Sequence, residues 1–156
     1  MKSFSPCPWS KALVITTIIT AVILLGAIIS LSVLCASGTF AKEALIGVLV
    51  VLGILIVALL ASVAFAPRAV SADDEAIIVH RVIGRVVIKR ADIEEIKPFP
   101  ADQLTLRICG IGGFMGYVGL FRNAEIGLFT SYITDFSKSI VIYRRSKRPI
   151  AITFRT

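Results

Sequence analysis

Two uninterrupted apolar runs, Ala12–Cys35 and Ala44–Ala66, constrain what this chain can fold into more than any other feature. They are 24 and 23 residues long and contain no Asp, Glu, Lys, Arg or His. A helix needs about 20 apolar residues to cross a hydrocarbon core. A core helix of a soluble protein shows a polar face every turn, and neither run does. The expected organisation is an N-terminal tail at 1–11, transmembrane helices at 12–35 and 44–66, a loop at 36–43 and a separate domain at 67–156. The absence of ionisable side chains from both spans argues against an ion pathway or proton relay, which needs them. Small residues four apart at Ala58, Ser62 and Ala66 permit close helix contact.

The net charge of +7 is concentrated after the second run. Fourteen Lys or Arg and nine acids follow Ala66, so the last part carries a surplus of five positive charges. Lys2 and Lys11 precede the first run, the loop balances Lys42 with Glu43, and Arg68, Arg81, Arg85, Lys89 and Arg90 follow the second. The positive-inside bias places both ends in the cytoplasm and the loop outside, in a multi-pass protein of a bacterial inner membrane. Trp9 sits where an interfacial anchor belongs, and Pro67 stops the second helix. Cleavage of the first run as a signal, at Ala36-Ser37-Gly38 or at a lipid-modified Cys35, is the alternative. The run is much longer than a signal's roughly 7–15 apolar residues, and Leu34 stands where a lipoprotein site needs a small residue.

After Pro67 the apolar pattern changes to period two, which marks half-buried strands. Ala76–Val82 and Arg85–Arg90 flank a turn at Ile83-Gly84, and Asp92–Phe99 and Leu104–Cys109 follow. A glycine-rich segment leads to Gly127–Thr134, Ser139–Arg144 and Pro149–Phe154, with Arg68–Ala72 as a short first strand. No stretch reads as a long amphipathic helix. A small antiparallel barrel or sandwich is expected.

Two blocks carry a family resemblance. Val70–Ile96 runs acidic turn, strand, Gly turn, strand, then an acid-Ile step, and Gly112–Thr134 (GGFMGYVGLFRNAEIGLFTSYIT) joins a Gly-aromatic stretch to Phe-Arg-Asn and a strand. Together they resemble a bacterial pleckstrin-homology (PH)-like domain that follows membrane helices. The resemblance implies a transmembrane hairpin followed by a PH-like antiparallel barrel, and a binding or scaffold role without catalysis. It also implies possible self-assembly. Such a fold ordinarily ends in a helix that plugs one barrel mouth, whereas here the last strand runs directly to Arg155-Thr156. Another segment, a neighbouring molecule or solvent is then expected at that mouth.

The residues offer little chemistry. Gly110–Gly119 lacks the Gly-Lys-Ser/Thr ending of a phosphate loop and the GxGxxG spacing. Two readings remain for it: a loop whose Phe114, Met115 and Tyr117 pack on the barrel, or one that dips them into a membrane or partner while Arg122 meets a phosphate. Arg144, Arg145, Lys147 and Arg148 crowd a tight turn, either as a solvated tip or as a contact for anionic phospholipid. His80 reads as an ordinary surface or barrel residue, since a catalytic or metal role would need partners that the sequence does not identify; Cys109 reads as a small core residue, and Cys7, between Pro6 and Pro8, reads as part of a disordered tail. Three scattered cysteines indicate neither disulfides nor a metal cluster, and no cofactor or catalytic set is expected. Nucleic acid is disfavoured, because aromatic residues do not alternate with the basic ones. The expected role is a membrane-anchored module acting through a protein partner, self-assembly or anionic lipid. An accessory subunit of a transport or cell-envelope enzyme complex is the alternative.

Overall fold

The computed structural model describes residues 3–38 and 42–154. Helix α1 spans Lys11–Ala36 and α2 spans Lys42–Phe65. At 1.5 Å per residue they are about 39 and 36 Å long, more than the roughly 30 Å of a hydrocarbon core. Both are long and apolar enough to cross a membrane. Ser10 caps α1, its hydroxyl accepting from the Leu13 N–H at 3.1 Å. Phe65 is the last residue of α2, and Pro67, which lacks the N–H a further turn would need, opens the first strand after it.

Among the described residues, ten strands form two sheets. They are β1 (Ser3–Pro6), β2 (Pro67–Ala72), β3 (Ala76–Arg81), β4 (Arg85–Lys89), β5 (Ile93–Pro98), β6 (Thr105–Gly112), β7 (Tyr117–Asn123), β8 (Gly127–Ile133), β9 (Ser139–Arg144) and β10 (Lys147–Thr153). The smaller sheet has the order β1-β2-β3-β4 and the larger β5-β9-β10-β8-β7-β6. Neither closes into a barrel. One pair departs from the expected antiparallel arrangement, since β10 inserts between β9 and β8 and runs parallel to β8.

Period-two alternation divides the larger sheet into two apolar faces. Ile142, Ile150 and Ile152 face the smaller sheet and pack with Val70, Ile77, Val79 and Ile88. Their neighbours Val141 and Ala151 point the other way and join Phe99, Phe121, Phe129 and Ile133 in a second cluster. Phe129, Ile133, Ile142 and Ile152 are fully buried, each contributing about 1.5–3 kcal/mol by the area it removes from water.

The N-terminal segment is part of this domain, which corrects the expectation of a disordered tail. β1 pairs antiparallel with β2, so Ser3–Pro6 and Pro67–Ala72 lie on one side of whatever the helices cross. Cys7 is buried in the core between the sheets, its N–H donating to the Arg68 carbonyl at 2.9 Å and its Sγ to the Thr153 carbonyl at 3.8 Å. Thr134 holds the next residues: its hydroxyl donates to the Pro8 carbonyl at 2.7 Å and its carbonyl accepts from Ser10 N–H. Leu13, one turn into α1, is wholly buried. The end of the domain carrying Thr134 and Thr153 is thus covered by the chain's own N-terminal segment.

Two further expectations are corrected. Cys109 is exposed, because it lies on the edge strand β6, beyond the area that the smaller sheet covers. The glycine-rich segment is not one loop: β6 continues to Gly112 and β7 begins at Tyr117, leaving a four-residue tip. Gly110 and Gly119 face each other in this hairpin with φ of +118° and +134°. A Cβ on either would sit 2.3 Å from a carbonyl oxygen of the opposite strand, so the two backbones approach as only glycines permit.

Candidate functional site

Strand directions give the β domain a helix-facing end and a far end. At the helix-facing end lie the exit of α2, the N-cap of α1 and the tips of two hairpins. Val82 and Ile83, in the β3–β4 tip, donate their N–H groups to the carbonyls of Ala66 and Ala64 at the end of α2. Arg81 sets its guanidinium 5.3 Å from the Phe65 ring centre, and Ile83 is exposed beside it. The four-residue β6–β7 tip leans on α1. The Met115 N–H donates to the Thr17 hydroxyl at 3.1 Å, and a Cβ on Gly113 would meet the Thr16 methyl at 3.2 Å. Met115 takes a φ of +59°, rare for a side chain of its size, which the bond to Thr17 helps to hold.

The residues singled out from the sequence fall in three places. Phe114 and Met115 sit on this tip, partly buried, and Phe114 lines a cleft against Thr20, Ala58 and Ser62 of the helices. Tyr117 turns into the domain instead, its ring 4.6 Å from that of Phe136. Arg122 lies on the opposite face of β7 from Phe121, exposed between Leu106 and Leu128 of the neighbouring strands. It is five residues from Tyr117 in an extended strand, about 17 Å away, so the structure does not bring it to the tip.

The basic turn is at the far end. Arg144 pairs with Ile93 at the start of β5, and β10 carries the chain from there to Thr153 beside the N-terminal segment. Three of its four cations have partners. Lys147 Nζ binds Asp92 at 2.7 Å, Arg145 reaches Glu94 at 3.6 Å, and Arg144 donates twice to the Arg148 carbonyl. The Lys147 hydrogen bond, chiefly, holds the Asp92 carboxyl below its ordinary value of 3.8. His80, on β3, is hydrogen-bonded to the Ser71 hydroxyl at 2.7 Å. Among the described residues no group of His, Cys, Asp and Glu has the arrangement of a metal site.

Sequence reading missed an open cavity of about 440 Å³ on the face of the larger sheet that carries Phe99 and Phe121. The β5–β6 connection crosses that face, anchored where Phe99 N–H donates to Ser139 and where Gln103 Nε2 donates to Glu125. Phe99, Leu104, Phe121 and Phe136 line the space together with Arg107, which is exposed on β6. These positions come from the β5–β6 connection, β6, β7 and the segment after β8, distant in sequence, and no local pattern signals that they meet.

Two packed sheets at the end of two long apolar helices make this a small mainly-β domain carried on a helical hairpin. The family model described as the bacterial PH domain matches residues 68–153, more than half of the chain, and the chain belongs to that family. No match was found among curated proteins or among solved structures. A PH domain suggests a binding or scaffold role, and such domains are typically non-catalytic.

Proposed function

We propose that the chain is a membrane-anchored binding module. Its two helices tether the PH domain, and the helix-facing end meets the bilayer headgroups. The observation that carries this reading is the seating of the β6–β7 tip on Thr16 and Thr17, five and six residues into α1. At 1.5 Å per residue this is about 8–9 Å along the helix. The helix exceeds the hydrocarbon thickness by a similar length, so Phe114 and Met115 fall at the interfacial depth. Arg81 and Arg68 beside the same end, and the positive-inside bias, support a cytoplasmic domain at a bacterial inner membrane. Arg144, Arg145, Lys147 and Arg148, at the far end, suit an anionic partner approaching from solution better than the lipid beside the helices.

A second reading, as a self-assembling scaffold or an accessory subunit of a membrane complex, is favoured by one observation. β6 is an eight-residue edge strand whose Leu106 and Ile108 are 54% and 55% exposed, next to Leu104 at 78%. Such an open apolar edge is a template for strand pairing. Crosslinking the full-length protein in its membrane, followed by capture, separates the two. A foreign protein in fixed ratio, or a discrete ladder of self-adducts through β6, would establish the second reading. Adducts to lipid alone at the β6–β7 tip are the outcome of the first.

A further inference from the structure

We propose that the cavity on the Phe99–Phe121 face of the larger sheet holds a single-chain anionic amphiphile drawn from the bilayer. Its apolar chain lies among Phe99, Leu104, Phe121 and Phe136, and its carboxylate or phosphate head lies on Arg107. This deepens the membrane-anchored reading and rests on it.

Three observations converge. The cavity of about 440 Å³ falls within the roughly 300–1,000 Å³ of small-molecule sites, and four of its lining side chains are large and apolar. One cation, Arg107, lines it and forms no ion pair among the described residues; Glu125, the acid of the β7–β8 turn, is engaged by Gln103 instead. An unpaired guanidinium beside an apolar space suits a ligand with one anionic end, because its fork accepts a carboxylate or phosphate through two hydrogen bonds.

The third observation is continuity with the helices. Arg107 and Gly112 line the cavity and also a cleft of about 460 Å³ whose other wall is Thr20, Ala58 and Ser62. The side chain of Arg107 lies over Gly112, where an added Cβ would meet Nη1 at 3.2 Å. The guanidinium therefore sits at the junction of the two spaces, on the helix-facing side. A molecule entering from lipid meets the cation first and finds the aromatic cavity beyond it.

The test uses full-length protein in phosphatidylcholine nanodiscs and a hexadecanoic acid carrying a photoactivatable group near its chain end. Adducts are expected on the peptides containing Phe99–Leu104 and Phe121. Arg107→Gln should reduce them by about tenfold, the loss of one charge-assisted pair. Arg107→Lys should restore part of the labelling, and Ala101→Trp, which fills the cavity, should abolish it. The fatty alcohol of equal length should label weakly. Equal labelling by acid and alcohol, or by wild type and Arg107→Gln, would overturn the proposal, as would adducts confined to α1 and α2. Exclusion of the probe together with a disulfide between two copies through Cys109 would assign the cavity to a second chain and overturn it too. Protection of Cys7 from thiol reagents reports that each variant is folded. Release of the protein by alkaline carbonate would instead refute the membrane-anchored reading itself.

Discussion

Met115 donates its backbone N–H to the hydroxyl of Thr17, 98 positions away, at 3.1 Å. This bond ties the tip of the glycine-rich hairpin to α1.

Replacing Thr17 by Val keeps the shape and removes the acceptor. The Met115 N–H is then left partly buried and unpaired, a loss of about 1 kcal/mol or more. Hydrogen exchange at Met115 should accelerate while amides of β9 stay unchanged. Thr16→Val, which keeps the methyl beneath Gly113, is the control and should leave Met115 protected. Equal exchange in both variants would show that the tip is held by something else.

The facing glycines of β6 and β7 set a second expectation. Gly110→Ala or Gly119→Ala places a Cβ 2.3 Å from a backbone oxygen and imposes a strained φ, so each should cost at least about 2 kcal/mol. Gly127→Ala also has a positive φ, +75°, but meets nothing within 4 Å and should cost about 1 kcal/mol. Denaturant unfolding in detergent ranks the three. A milder effect at Gly110 than at Gly127 would contradict the close pairing.

Burial pushes the Cys7 thiol up to about 11 from its ordinary 9.0, which keeps it protonated and unreactive. In a Cys35→Ala background, maleimide at neutral pH should label exposed Cys109 at once and Cys7 only on unfolding. Because the folded value is the higher one, the contribution of Cys7 is complete below pH 9 and is lost as pH rises from about 9 to 11. Prompt labelling of both thiols would detach the N-terminal segment from the core.

At the far end, Asp92 and Lys147 form an exposed pair whose carboxyl is held below 3.8. The pair stabilises above that ordinary value, and the contribution disappears as pH falls through the depressed one. Asp92→Asn should therefore be slightly less stable than wild type at neutral pH and indistinguishable from it in strong acid or high salt. A difference that persists in high salt would point to the Asp92 backbone, which accepts from Arg145, rather than to the charge.

Much of the molecule was legible locally. The apolar runs match both helices to within two residues, and period-two alternation located β2, β3, β4, β5, β6, β8, β9 and β10, with β6 ending three residues later and β10 beginning two residues earlier than expected. What escaped depends on contacts distant in sequence. Ser3–Pro6 is a strand only because β2 pairs with it across the whole helical hairpin, and Cys7 between two prolines carries no sign that it fills a core. β7 was hidden because Gly119 interrupts its alternation, and the partner that explains this glycine, Gly110, lies on the other strand. Cys109 misled because an apolar strand at an open edge has the same pattern as one in the middle of a sheet. Phe114 and Met115 stood out as aromatic and apolar residues among glycines, whereas Arg107 did not, because only the tertiary fold sets it between the cavity and the helices.

The central claim is that the β6–β7 tip, and not the basic turn, meets the bilayer. Spin labels at Phe114→Cys and Ser146→Cys, each in a Cys35→Ala, Cys109→Ser background in reconstituted membranes, test it through relative accessibility to oxygen and to a water-soluble nickel chelate. The account predicts that the label at 114 is shielded from nickel and exposed to oxygen, with the reverse at 146. Equal nickel accessibility at the two positions would contradict it.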